Sequence, residues 1–209
     1  GVDVDWEHPD SEAAGADYLA LLADLRAALP APDYVLTTAL PPGEWVLRNI
    51  DVAAAADLLD ALNLMGYDFH GGWTETCGHH AQLLPGGGDD DDGCAPRASC
   101  HAGVEYLIAR GFPAAKIVLG VPVYGRSFRG AGGPGEPFAE AGEIDYNELP
   151  REWIQDAVVD EAVGAASYVD PNAEDGRGFV SFDVPATVRH KADYVRAQGL
   201  GGARQHRGA

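Results

Sequence analysis

The sequence predicts an α/β chain organised on a parallel sheet. Three features carry that expectation: short apolar runs such as YVLTTAL, LNLMGY and KIVLGV, helix-length stretches between them, and Gly or Pro at their boundaries. Strands buried on both faces lose the polar alternation of a half-exposed strand, and parallel neighbours need a crossover of helical length. With 209 residues the chain has room for one sizeable core, alone or carrying a smaller insertion.

Taken in order, residues 1–7 (GVDVDWE) alternate Val2, Val4 and Trp6 with Asp3, Asp5 and Glu7, the period of a strand. From Asp17 the run YLALLADLRAAL sets Leu19, Leu22, Leu25 and Leu29 on one helical face, and Pro30 stops it. Residues 34–40 read as a second strand between Pro32 and the pair Pro41 and Pro42. A short helix follows from Asp51, then a buried strand over 62–67, a helix over 101–110 closed by Gly111 and Pro113, and a strand over 116–121.

Residues 85–93 (PGGGDDDDG) form an acidic low-complexity loop that lacks the spaced ligands and turn glycine of a calcium loop, so solvation is the expected role. After Tyr124 comes a stretch rich in Gly, Pro and acidic groups, with strand-like pieces at 166–169 and 179–182, read as an α+β insertion. Helix resumes over 185–198 and a last strand begins over 199–203, while the tail RQHRGA does not read as strand.

Lys and Arg number 14 against 33 Asp and Glu, a net charge of −19, which has the wrong sign for gripping phosphate backbones and excludes nucleic acid as partner. No apolar run approaches the roughly 20 residues of a membrane helix, so no membrane span is expected. Cys77, Cys94 and Cys100 include no CxxC pair, which argues against zinc. A single disulfide among them and buried free thiols both remain open. His8, His70, His79 and His80 invite a transition metal, but loop and surface roles are the expectation.

The carboxylates carry the chemistry. At i, i+2 and i+4 of one strand they share a face, with neighbours about 6 to 7 Å apart. In a closed parallel barrel that face points into the lumen, and Glu7 lies at the C-terminal strand end, where barrel enzymes react. Ionising all three side by side is costly, so the pattern suits a carboxyl that keeps a proton and acts as general acid. Glu7 is then the acid, Asp5 its hydrogen-bonding neighbour, and Asp3 a buried charge reservoir. A competing reading takes Asp3-Val4-Asp5 as the metal-binding DxD of a nucleotide-sugar transferase.

GVDVDWEHP resembles the DGxDxDWEYP segment of glycoside hydrolase family 18, the chitinase family, without its first Asp. YVLTTALP, LNLMGYDFHGGW, KIVLGVPVYGRSF and GFVSFDVPATVRHKADYVRAQGLGG follow in that family's order, most like its fungal members. The resemblance implies a (β/α)8 barrel cleaving β-1,4 links between N-acetylglucosamine units with retention, the substrate's own acetamido group replacing an enzyme nucleophile. It assigns Glu7 as acid and then base, Asp5 to the acetamido N–H beside Asp3, and Tyr67 to the acetamido oxygen. Met65 and Asp68 would line the sugar site, Trp73 would stack on a sugar, and Tyr124 and Arg126 of the YGR stretch would bind sugar hydroxyls.

The same resemblance implies no metal and no cofactor, chitin or chitooligosaccharides as partner, no protein partner, and a secreted or cell-wall location. It divides the chain into a partial TIM-barrel domain, 1–126 and 183–209, and an α+β insertion, 127–182. The sequence starts at the family's fourth strand, and GLGGARQHRGA lacks the Trp that floors the family's sugar site, leaving an open sheet with two free edges. A catalytically silent chitin-binding, lectin-like member or a non-functional gene fragment is the alternative.

Overall fold

A computed structural model describes residues 1–86, 98–172 and 176–207. The elements run β1 (Val2–Val4), α1 (Glu12–Ala28), β2 (Leu36–Leu40), α2 (Glu44–Leu47), α3 (Val52–Leu58), β3 (Ala61–Leu64), α4 (Cys100–Ala109) and β4 (Ile117–Pro122). There follow β5 (Tyr124–Arg129), β6 (Glu140–Asp145), α5 (Arg151–Gln155), β7 (Val158–Asp160), β8 (Ala165–Val169), β9 (Phe179–Ser181), α6 (Pro185–Ala197) and β10 (Gly202–His206). The chain divides into two compact units: Gly1–Met65 with Cys100–Gly120 and Tyr194–Arg204, and Gly66–Ser99 with Val121–Asp193 and Gln205–Ala209. Residues 127–182, read from sequence as an insertion, fall inside the second.

The first unit is built on a sheet of order β1-β2-β3-β4-β10, with parallel pairing at Val2 to Leu36, Thr38 to Leu62 and Leu64 to Leu119. Leu36, Leu40, Leu62, Leu64, Ile117 and Leu119, at alternate positions of β2, β3 and β4, are all buried and share one face of the sheet, whereas on the opposite face Ala61 and Asn63 of β3 are only half-buried. Helix α1 starts earlier than the apolar run suggests, because the Ser11 side chain accepts the Ala14 N–H at 3.2 Å and caps it. Its buried stripe is Gly15, Tyr18 and Leu22, with Leu19, Leu25 and Leu29 only half-buried. The Tyr18 hydroxyl bonds that of Thr38, which donates to the Val4 carbonyl at 2.8 Å, fastening α1 to β2 and β1. Burial pushes the Tyr18 phenol up to about 12, so it stays neutral.

At the other end of this unit, Arg26 donates from Nε to the Leu58 carbonyl at 2.7 Å and pairs with Asp60 at 2.6 Å. Asp60 also accepts the Leu36 N–H at 2.7 Å, and that bond, then Arg26, holds its carboxyl below the usual range. Lys116 donates to the carbonyls of Ala56 and Leu59 at 2.8 and 2.7 Å, closing the C-terminal end of α3.

The tail corrects the sequence reading. Arg204, Gln205 and His206 complete β10, which is anchored by Gly201 N–H to the Ile117 carbonyl (2.9 Å) and Val123 N–H to the His206 carbonyl (2.8 Å). Backbone pairing along β4 overrides the weak strand propensity of the side chains.

The second unit is an antiparallel sheet of order β6-β5-β9-β8-β7. Strands β8 and β9 are the pieces legible at 166–169 and 179–182, whereas β5 and β6 are too rich in Gly and charge to stand out and β7 is only three residues long. One core gathers Ile144, Leu149, Ala166, Val180, Phe182 and Val184, beside the stacked pair Trp153 and Tyr168. Another gathers Cys77, Phe128, Ala131 and Phe179. A buried ion pair, Lys191 Nζ to Asp183 Oδ2 at 2.5 Å, is completed by Thr187 donating to Asp183 Oδ1 at 2.7 Å.

Cys77 is a buried thiol donating to the Gly133 carbonyl at 2.9 Å, and Cys100 is buried at the start of α4. Cys94 and most of the acidic loop lie outside the described residues. Among those described, no helix is long and apolar enough to cross a membrane.

Candidate active site

In the first unit the alternation of residues 1–7 survives only beyond the first pair: Val4 is buried and Trp6 half-buried, whereas Val2 is 40% exposed, and Asp3, Asp5 and Glu7 face solvent. Strand β1 ends at Val4, so Asp5 and Glu7 follow it. Asp3 is not buried as expected; its side chain is 35% exposed. Donors from neighbouring strands converge on it: Thr37 Oγ1 at 2.5 Å and Asn63 Nδ2 at 3.0 Å reach Oδ1, and Arg204 Nη1 reaches Oδ2 at 3.2 Å. These donors satisfy both carboxylate oxygens while the side chain stays in contact with water. Arg204 thereby supplies a cation where the DxD reading needs a divalent metal. Glu7 is 57% exposed, its Oε2 3.9 Å from His8 Nε2. Met65, half-buried, donates its N–H to the Leu40 carbonyl at 2.9 Å.

The second unit gathers the other candidates. Tyr67 and Asp68 lie past the end of β3, with Asp68 in the left-handed region at φ 61°. The Asp68 carboxylate accepts Arg126 Nε and Nη2, both at 2.9 Å, and Arg126 Nη1 lies 3.1 Å from Glu143 Oε2. The Arg126 guanidinium sits 5.3 Å from the ring centre of Trp73, which is 62% exposed, and 5.5 Å from that of Tyr124. Burial pushes the Asp68 carboxyl up, but His80 and Arg126 outweigh it and hold the group well below the usual range. Burial alone would lower Arg126, yet its carboxylate partners raise it. Tyr124 is buried, and desolvation pushes its phenol far up. Tyr67 stacks on His206 at 4.7 Å with planes 8° apart and meets Tyr124 edge-on at 6.2 Å.

His79 and His80 are interior rather than surface residues. His80 is fully buried, its backbone N–H bonded to Ser181 Oγ at 3.2 Å and its Nδ1 3.6 Å from Asp68 Oδ1. His79 packs edge-on against Phe179, and burial lowers it to about 4. Desolvation lowers His80 and His70 too, so these rings are neutral near pH 7. Among the described residues no three His, Cys, Asp or Glu side chains are grouped to hold a metal ion.

Sequence reasoning missed Glu143 and His206, and placed His80 in a loop or surface role rather than in the interior. Glu143 meets Arg126 through the β5–β6 register, a non-local pairing that no spacing in the sequence announces. His206 was lost with the tail that forms β10. The pair GHH beside LNLMGYDFHGGW was the one available signal for His80.

The pattern of "Glycosyl hydrolases family 18" matches residues 1–206. Endochitinase 1 of Metarhizium robertsii is 33% identical over 218 residues, covering 97% of this chain and 50% of its own length. Chitinase A1 of Niallia circulans is 30% identical over 239 residues, covering 97% of this chain and 33% of its own. The chain thus spans about half the length, or less, of these curated relatives.

Among solved structures, the Ostrinia furnacalis Group IV chitinase in complex with allosamidin superposes with a TM-score of 0.83 at 27% identity, over 99% of this chain and 61% of the other. The class V chitinase of Nicotiana tobaccum gives 0.82 at 29% identity, over 99% and 63%. The parallel sheet with its helices is accordingly part of a (β/α)8 barrel, the α/β class that the sequence predicts. Matched over residues 1–206, the chain belongs to glycosyl hydrolases family 18.

Proposed function

We propose that the chain carries the catalytic machinery of a chitinase, cleaving β-1,4 links between N-acetylglucosamine units with retention and through the substrate's own acetamido group. The observation that carries this reading is the exposure of Asp3 in β1 and of Asp5 and Glu7 just after it, in a member of this family. Named chitinases among its relatives support it, as do a neighbour's complex with allosamidin and another's with NAG4.

In the first step protonated Glu7 donates to the glycosidic oxygen while the acetamido carbonyl oxygen bonds to the anomeric carbon. The glycosidic bond breaks, and the leaving sugar departs with the proton. The resulting oxazolinium ion is opened by water, which gives a proton to the Glu7 carboxylate as its oxygen bonds to the anomeric carbon. Asp5 accepts the acetamido N–H and offsets the positive charge of the ring, an electrostatic role that needs fixed geometry. Asp3, held by Thr37, Asn63 and Arg204, is an immobile negative neighbour for Asp5.

Tyr67 donates its hydroxyl to the acetamido oxygen, with the ring steadied by its stack on His206. Arg126, oriented by Asp68 and Glu143, donates to sugar hydroxyls, Trp73 offers an apolar face to a pyranose ring, and Met65 and Tyr124 line the sugar site. No metal or cofactor takes part in these steps. Chitin is an extracellular polymer, so a secreted or cell-wall location follows from this substrate.

The stereochemistry tests the route. Chitohexaose products are followed by proton NMR in the first minutes of hydrolysis, before mutarotation. The β-anomer at the new reducing end is expected; initial α-anomer contradicts an acetamido-assisted mechanism.

A further inference from the structure

His80 is fully buried, and among the described residues neither of its ring nitrogens has a hydrogen-bond partner. An unpaired polar group in the interior is costly, so its retention calls for a use. The backbone fixes where the ring stands. The His80 carbonyl accepts the Phe69 N–H at 3.0 Å, and its own N–H donates to Ser181 Oγ at 3.2 Å. The first bond ties it to the residue after Asp68, the second to β9. Thus placed, the imidazole meets the Tyr124 ring of β5, with centres 5.2 Å apart and planes at 46°, and its Nδ1 stands 3.6 Å from Asp68 Oδ1.

That oxygen already accepts Arg126 Nε at 2.9 Å, while Oδ2 of the same carboxylate accepts Nη2. The imidazole therefore faces the group that sets the plane of the guanidinium. Its charge follows from its surroundings. Desolvation, the largest influence, disfavours the imidazolium; Asp68 and Asp183 favour it, and Lys191 opposes it. A neutral imidazole carries one N–H, and Asp68 Oδ1 selects Nδ1 to bear it. At 3.6 Å the bond is not closed. Contacts of this kind are often long in an unliganded site and tighten once the ligand is bound.

We propose that His80 is a positioning residue for sugar binding: its Nδ1–H donates to Asp68 Oδ1 when a sugar engages Arg126, and so locks the carboxylate that holds the guanidinium in plane. This rests on the function proposed above. The carboxylate is then gripped from two sides, by Arg126 and by a ring that the backbone cannot let swing away.

The test begins with proton–nitrogen NMR of the full chain carrying isotope-labelled histidine, the His80 ring being assigned by its absence from His80→Asn. The Nδ1–H tautomer is expected, with its resonances moving on Asp68→Asn; the Nε2–H tautomer overturns the inference. Kinetics on a fluorogenic chitobioside follow. His80→Leu, which removes the donor, is expected to raise KM roughly fivefold with kcat little changed, since Arg126 holds the sugar in ground and transition states alike. His80→Asn, whose amide N–H stands in for Nδ1–H, restores most of that loss. In an Arg126→Lys background His80→Leu adds little, because the group it positions is gone. An unchanged KM in the Leu variant, no rescue by Asn, or fully additive losses shows a packing role and overturns the inference. Where the Leu variant does not fold, the tautomer decides. If the parent does not cleave the chitobioside, the functional reading itself fails, a result distinct from an Nε2–H tautomer or a missing rescue, which strike His80 alone.

Discussion

The Arg126 guanidinium meets Asp68 edge-on, with Nε and Nη2 each 2.9 Å from a carboxylate oxygen, and its third nitrogen lies 3.1 Å from Glu143. Two carboxylates against one guanidinium fix its plane as well as its charge, which a flexible ammonium cannot reproduce. Arg126→Lys is therefore expected to lower kcat/KM for a chitobioside by about tenfold, equivalent to about 1.4 kcal/mol. The thermal midpoint should fall as well, since Asp68 loses half of its paired donors. Steady-state kinetics beside a melting curve checks both.

Asp3 makes a different demand, because three donors from separate strands hold it. Asn63→Leu and Arg204→Ala should each lower kcat more than they raise KM, since they loosen a charge that acts on the reacting group through Asp5. The Arg204 contribution should shrink in high salt, its guanidinium being half exposed. A fall confined to KM contradicts a positioning role for Asp3.

Acid should destabilise the second unit through its buried histidines. His79 is lowered from 6.5 to about 4, so between those values the unfolded chain binds a proton that the folded one refuses. The stabilisation is complete above pH 6.5 and drains away toward pH 4, by about 3 kcal/mol for this group. His80 acts in the same direction, and Asp68, also lowered when folded, loses its contribution only further down, below 3.8. Thermal midpoints across pH 4 to 7.5 should rise with pH, with a shallower slope in His79→Asn.

Tyr67→Phe keeps the ring that stacks on His206 and removes only the hydroxyl. A donor aimed at the developing oxazolinium oxygen is worth roughly 100- to 1000-fold in kcat. The far-ultraviolet spectrum and melting curve should stay as in the parent, so the kinetic loss is read without a folding artefact.

How much was legible follows the range of each interaction. The alternation of Val4 and Trp6 with the acids is local and survives as burial, although Val2 at the start of β1 is 40% exposed, and the apolar runs around Leu36, Leu62 and Ile117 became the core of the parallel sheet. Asp3 was misjudged because its donors Thr37, Asn63 and Arg204 come from three other strands, and no local pattern says that a guanidinium will neutralise it. The Arg126–Glu143 contact depends on an antiparallel register within strands whose polar composition hides them. His206 was missed because RQH has poor strand propensity, which pairing with β4 overrides. Arg126, Asp68, Trp73 and Tyr124, by contrast, were named from motif resemblance and lie in one cluster.

The proposed mechanism turns on Glu7 as the acid and base of a chitin-cleaving site. The most direct measurement is release of a fluorogenic aglycone from chitobiose and chitotriose glycosides by the chain and by Glu7→Gln, which keeps the shape and hydrogen-bonding reach of the side chain while removing its acid. Hydrolysis by the parent and its loss in the variant are expected. Hydrolysis that survives Glu7→Gln, or none by either protein, contradicts that mechanism.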